Sequence, residues 1–356
     1  MHRPLTSTSL TGPHLGRPCL LSFAWLLLYA PLLWGCSDEK PRVPQQNPWH
    51  SVSEGLPGAL FSVDGSSAEH VWVVGADRGD GEGPTIVEYD GDWHAHASGL
   101  ESGDLYWVHV FADDVVYTVG TGGTILSYTG DQFELEETPT NQDVWGLWGK
   151  TSSDIWAVGG DPNTGVGFVW RDQGEGFSVV ELDSNLPRPS AWYKVWGPAD
   201  DDVWFCGVDG ALMHYDGQGF EAVDAATSRA LLTIHGREDG SLVTAVGGQF
   251  SATLVASKDG GDFEDVTPEG PPLQTFGVFH RDAEAFAVGM QGTVLHHDGT
   301  SWAEEVTGLD IFEDLHAVWI DPDAGVWAVG GQLISPPFEQ GALIYKGERA
   351  PPPIEL

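Results

Sequence analysis

The sequence repeats one short phrase, an apolar strand that ends in glycine. It reads VWVVG, VVYTVG, IWAVG, VWFCG, LVTAVG, AFAVG and VWAVG, with terminal glycines at Gly75, Gly120, Gly159, Gly207, Gly247, Gly289 and Gly330. The spacings of 45, 39, 48, 40, 42 and 41 residues are the period of a propeller blade of four strands. Each copy supplies four strand-like pieces, as in Thr275 to His280, Ala285 to Gly289, Thr293 to His297 and Trp302. Asp-Gly pairs at 90–91, 216–217, 259–260 and 298–299 mark the hairpins between third and fourth strands, where glycine accepts the positive φ of a tight turn. The expected fold is all-β, a seven-bladed β-propeller of four-stranded antiparallel blades over residues 47–348.

The seventh repeat begins at Asp314 and runs out of chain after three strands, ahead of a Pro-rich tail at 349–356. Its missing strand has a match at the other end: Trp49 to Leu56 (WHSVSEGL) parallels Trp93 to Leu100 (WHAHASGL), the fourth strand of the first repeat. The N-terminal segment is therefore expected to complete the last blade, which removes open sheet edges and ties the chain ends together.

Ahead of the repeats, Arg3 and Arg17 precede an uncharged apolar run, Leu20 to Leu33, that ends in Trp34-Gly35-Cys36. The run is shorter than the ~20 residues a membrane-spanning helix needs, so it reads as the apolar core of a signal sequence. Leu33 and Gly35 directly before Cys36 resemble the lipobox of bacterial lipoproteins. The resemblance implies a signal peptide over 1–35, cleavage before Cys36 and acylation of its thiol and new amino group, with 36–46 as a polar tether. It also implies a bacterial cell envelope location, lipid-anchored at the outer membrane or cell surface. Read as an ordinary secretory signal, the same segment leaves Cys36 incidental and the protein secreted.

Among 356 residues, 53 Asp and Glu face 15 Lys and Arg, a formal charge of −38. So few cations cannot build the basic surface that phosphate neutralisation demands, so nucleic acid is not an expected partner. The sequence contains no HExxH, no Cys/His set at zinc spacing and no GxSxG.

Ser257-Lys258-Asp259-Gly260-Gly261-Asp262-Phe263 resembles a degenerate Asp-box (BNR-like repeat), the turn between third and fourth strands in sialidase-like propellers. His214-Tyr215-Asp216-Gly217 with Phe220 keeps pieces of the same pattern. The whole array, over 47–348, is similar to the propellers of bacterial secreted lipoproteins and, more distantly, to those of the photosystem II assembly factor family. That likeness implies fold more than function.

Trp72, Trp156, Trp204 and Trp327, with Phe286 close to the pattern, recur at blade period in the second strands and read as packing between neighbouring sheets. Binding is expected where loops vary on a rigid scaffold. The loops joining second to third strands are long at Ala76 to Pro84, Gly160 to Gly167 and Gly331 to Gly341, and nearly minimal in repeats two, four and six. Near that face Lys194 and Trp107 fall in an innermost-strand column otherwise filled by Ser62, Gly146, Thr233, Gly277 and Ala317. With Trp192, Tyr193 and Arg188 they form the candidate ligand site, a cation beside aromatic rings suited to a carboxylate or sugar. The same residues can equally fill the channel while the lysine stem reaches toward water. Asp77, Asp80 and Glu82, and Asp321 with Asp323, offer oxygen ligands of the type calcium prefers, or else form solvated acidic loops.

Two functions compete. One is a non-catalytic platform whose propeller face binds an envelope protein or a glycan, or serves as an assembly factor for one complex. The other, which the Asp-box resemblance implies, is a glycoside hydrolase or lyase, which would need two carboxyls at a defined separation.

Overall fold

The strand that carries the repeated phrase is buried on both faces, because each blade stacks face to face on its neighbours. That explains a near-continuous apolar run such as Val71 to Val74 where a one-sided sheet would alternate. The computed structural model describes residues 48–163, 165–270 and 272–356; the signal segment, Cys36 and the tether lie outside the described residues. It shows seven four-stranded antiparallel sheets in a ring. The innermost strands are Leu60–Ser67, Leu105–Ala112, Val144–Thr151, Trp192–Ala199, Leu231–Gly236, Thr275–Arg281 and Asp314–Ile320, which define blades 1 to 7.

The repeated glycines are there for space. Gly120, Gly207 and Gly289 have φ of −167°, −165° and −168°, extended backbone that any residue adopts. A Cβ at any of the seven glycines would instead be driven into a backbone carbonyl just ahead of or at the start of the innermost strand: Ala59, Asp104, Asp143, Ala191, Ala230, Gln274 or Asp314. In six blades that carbonyl accepts the next N–H after the glycine, as in Ala76 N to Ala59 O at 2.8 Å and Val208 N to Ala191 O at 3.1 Å.

Between blades the core is aromatic. The Trp72 ring meets Tyr128 and Phe133 of blade 2 at centroid distances of 5.1 and 5.8 Å, and Trp156 meets Tyr215 and Phe220 of blade 4 at 5.2 and 6.0 Å. Trp204 meets Phe263 of blade 5 at 5.5 Å, and Trp327 meets Tyr89 of blade 1 at 5.8 Å. Rings of this size bury ~150–250 Å² each, so these wedges carry much of the cohesion between sheets. In blade 2 Tyr117 holds the equivalent place, and in blade 5 it is Thr244.

Blade 7 closes as the repeats foretell, with Trp49–Leu56 pairing outside Gly341–Lys346, from Trp49 opposite Lys346 to Leu56 opposite Gly341. The Pro-rich tail is more than an overhang: Trp93 Nε1 donates to the Pro352 carbonyl at 2.8 Å, and Ile354, itself buried, donates its N–H to Ser53 Oγ at 2.8 Å. The first strand of the propeller and the C-terminal tail thus lock at the junction of blades 7 and 1. A protein beginning at Pro57 should lose its single cooperative thermal transition; a melt superimposing on that of the full-length chain would contradict the closure.

Candidate binding face

Each innermost strand breaks register right after the residue that pairs with the repeated glycine. The ladder steps from Leu60 opposite Gly75 to Ser62 opposite Val74, and the same slip occurs in all seven blades. A bulge leaves one residue unpaired and re-aims it. Here the bulged residues are Phe61, Tyr106, Trp145, Tyr193, Leu232, Phe276 and His316.

They meet around one mouth of the central channel as an aromatic collar. Tyr106 stacks on Trp145 at 4.4 Å and 16°, Phe61 meets Tyr106 edge-on at 5.5 Å and His316 at 5.4 Å, and Trp145 meets Tyr193 at 5.9 Å. Phe276 lies over His316 at 6.1 Å. The long blade 7 loop adds Phe338, edge-on to Phe61 at 5.4 Å, while its carbonyl accepts the Ala59 N–H at 3.0 Å.

Bulging also strands backbone carbonyls, and side chains from adjacent blades take them up. Lys194 Nζ donates to the Trp145 carbonyl, Thr233 Oγ1 to the Phe276 carbonyl at 2.6 Å, and His316 Nδ1 to the Phe61 carbonyl. This places the candidate cation. Lys194 is only 5% exposed, its ammonium lies 4.5 Å from the Trp107 ring centroid, and burial pulls its pKa down to about 7. Of its proposed companions, Trp107 faces it in the channel and Tyr193 stands on the collar. Trp192 is fully buried between blades, because it is the residue that pairs with Gly207. Arg188 is exposed in the preceding loop, where Nη2 donates to the Leu182 carbonyl at 3.0 Å. The structure thus brings Lys194 and Trp107 together in the channel, sets Tyr193 on the collar above, and leaves Trp192 and Arg188 apart from the channel.

Below the collar the channel narrows to a cavity of about 170 Å³ lined by Asp64, His109, Trp148, Trp196, His235 and Trp319 among others. Asp64 accepts the Val110 N–H at 2.9 Å and lies 3.5 Å from His109 Nδ1, so this layer is a packed, hydrogen-bonded floor.

Acids on the collar face act largely as loop staples. Asp104 accepts the Asp77 N–H at 2.9 Å, Asp143 the Gly122 N–H at 2.8 Å and Asp314 the Gln291 N–H at 3.0 Å, each linking one blade to the preceding blade's loop. Burial nevertheless raises the pKa of Asp104 and Asp314. Three of the five calcium candidates, Asp77, Asp80 and Asp321, are occupied in the same manner. Asp77 accepts the Gly79 N–H at 2.8 Å, while Asp80 accepts the Glu82 N–H at 2.9 Å and pairs with Arg78 at 3.2 Å. Asp321 is wholly buried and accepts from the N–H groups of Asp323 and Gly325 and from Trp327 Nε1, at 2.9, 2.8 and 2.9 Å. Among the described residues no group of three or more potential metal ligands converges.

Around the collar the loops expose apolar side chains. Phe312 is 80% exposed, Phe250 78% and Ile334 77%, and Val166 and Leu273 lie in loops of the same face. Phe312 and Ile334 line one depression of about 290 Å³ with Met290, Gln291 and Gln332. Neither the collar nor this rim emerges from strict strand alternation, since the bulge that creates the collar leaves no mark on residue spacing. The available signal was the residue before each Lys194-equivalent position, aromatic or His in every blade but the fifth.

His316 gives the collar a pH dependence. Burial first, and the nearby Lys194 charge second, lower its pKa from 6.5 to about 4. A base with a depressed folded pKa takes up protons more readily when unfolded, so its contribution is complete above pH 6.5 and is lost as pH falls toward 4. His316→Gln should flatten the decline of the denaturation midpoint over that interval; an unchanged slope would discount the imidazole.

The sequence matches no family model and no curated protein. Solved structures share the fold. YCF48 from Cyanidioschyzon merolae superposes with a TM-score of 0.63 at 14% identity, covering 84% of this chain and 98% of that one. YCF48 bound to D1 peptide does so at 0.63 and 15% identity, covering 85% and 96%. The WD40 repeats of RRP9 give 0.67 at 10% identity, covering 86% and 99%. At such identities the likeness is one of fold, and it marks the chain as a seven-bladed β-propeller distantly similar in structure to YCF48.

Proposed function

We propose that the chain is a non-catalytic docking platform whose collar face binds a protein partner, held at a bacterial envelope membrane by lipid on Cys36. The observation that carries this reading is the gathering on one face of the aromatic collar and of exposed Phe250, Phe312, Ile334 and Val166. The rim side chains left in water around the rigid collar favour burial against a partner, and the exposed rings of Phe250 and Phe312 offer large contact area at low entropic cost. Like-folded YCF48 has been solved with a D1 peptide, which supports peptide recognition by a propeller of this shape. The half-buried Trp145 ring at the channel mouth is of the kind a sugar stacks on, so a glycan is the second reading.

Catalysis by a carboxyl pair finds less support on this face. Asp104, Asp143 and Asp314 spend oxygens on backbone N–H groups rather than facing one another across a gap. The anchor rests on Leu33, Gly35 and Cys36 and on the short apolar run ahead of them.

Two measurements test the proposal. Crosslinking in intact envelopes should capture one dominant protein with the native chain, and Phe312→Asp combined with Ile334→Asp should abolish capture while leaving the thermal melt in place; capture that survives both changes would remove the collar face from consideration. Cys36→Ala should shift the protein from the membrane to the soluble fraction, and full membrane retention would refute the lipid anchor.

A further inference from the structure

A second site lies away from the collar, between blades 5 and 6, where the repeating aromatic wedge is absent. Six blades set an aromatic ring from the second strand against the next blade: Trp72, Tyr117, Trp156, Trp204, Phe286 and Trp327. Blade 5 has Thr244 there, with Ala256 beside it on the third strand. Blade 6 meets this gap with His297 and Trp302, where the other junctions described above present Tyr215 and Phe220 or Tyr128 and Phe133. What remains is a cleft of about 790 Å³, within the size range of small-ligand sites.

The cleft is polar at its floor, and among the described residues some of its buried polar atoms have no hydrogen-bond partner. Thr244 is fully buried, and among the described residues its Oγ1 has no hydrogen-bond partner. Arg237 lines the cleft with a buried Nε that is likewise unpartnered. Behind the Trp302 ring, at 6.2 Å, His280 is 3% exposed with both ring nitrogens unpaired. Buried donors and acceptors normally find partners, since leaving one unmade costs free energy, so orphaned atoms of three side chains in and behind one open cleft point to a ligand or ordered water. The other junctions fill this position with an aromatic ring, and there the buried Nε1 of Trp72 and of Trp156 likewise lacks a partner among the described residues.

The rim limits the chemistry. The Ser257–Phe263 turn is closed by Ser257 Oγ donating to the Gly261 carbonyl at 2.6 Å and by Phe263 packing on Trp204. It presents Lys258, Asp259 and Asp262 to the cleft, joined by Glu264 from the outer strand. An inner guanidinium with a second cation at the rim fits an acid group, which is notable in a chain with so few cations. Exposed carboxylates at the rim accept hydrogen bonds from hydroxyls, and Trp302 offers a ring wall. We infer that the cleft between blades 5 and 6 binds a sugar acid of one or two rings, its acid group on Arg237 and Lys258, its hydroxyls on Thr244 and the rim carboxylates. This site is independent of the collar face and of the partner proposed there.

Titration calorimetry on the full-length protein in detergent, with glucuronate, glucose 6-phosphate and glucose as probes, tests the inference. Glucuronate should bind and glucose should not; binding by glucose 6-phosphate as well would identify a general sugar-anion site and support the cleft equally. Arg237→Met should weaken glucuronate binding by about tenfold or more, the scale of a lost charge-assisted hydrogen bond, without changing the melt. Thr244→Phe gives blade 5 the ring its neighbours have and should abolish binding while raising the melting temperature. No heat with glucuronate at millimolar concentration, equal binding of glucose, or full affinity in Arg237→Met would overturn the site even if Thr244→Phe did not fold.

Discussion

The ring depends on a close approach of backbone to backbone at seven glycines. A carbonyl at the head of each innermost strand lies against the glycine Cα at the end of the second, a distance that no side chain permits. The strand that makes this approach slips by one residue immediately afterwards in every blade. Next to that close approach sit the bulge and, through the residue it re-aims, the collar of rings around the channel mouth. A β-bulge that recurs in every blade behaves as a designed feature, in line with the tendency of bulges to aim side chains at functional places.

Cohesion between blades is a separate matter, carried by aromatic wedges that each fill the space left as neighbouring sheets diverge outward. The pattern makes its exception informative. Where Thr244 replaces the ring, apolar burial is forfeited and polar atoms are left without partners, an arrangement that costs stability unless something occupies the cleft. Large polar-floored gaps at otherwise uniform junctions differ in kind from variation in surface loops, because the packing of the whole blade must tolerate them.

Electrostatics follows the same economy. Many acids sit on exposed turns where they accept local N–H groups, as Asp216 does from Gln218 and Gly219 at 2.9 and 2.8 Å. Others staple loops across blade junctions. The buried bases are held toward neutrality: Lys194 and His316 by burial near the channel, His280 by burial between blades, with its pKa lowered to about 3. The surplus of negative charge is therefore a property of the outer surface, suited to solubility and to repelling other acidic polymers.

The blade count, the order of strands and the closure of blade 7 by Trp49–Leu56 were legible in the residues, because period, hairpin glycines and a matched WH…GL segment are local signals. So were the packing roles of Trp72, Trp156, Trp204 and Trp327, since burial on both faces leaves a continuous apolar run. The ligand candidates show the limit of that reading. Lys194 looked like a free cation in sequence, and only the fold reveals that a bulged carbonyl from the preceding blade occupies it. Trp192 looked like a channel residue, yet its pairing with Gly207 turns it into the core. The sequence by itself determined the architecture, because glycine spacing and strand alternation act within one blade. Tertiary structure alone decided where a partner or ligand can sit, because the collar and the cleft arise from register slips and from contacts between residues of different blades.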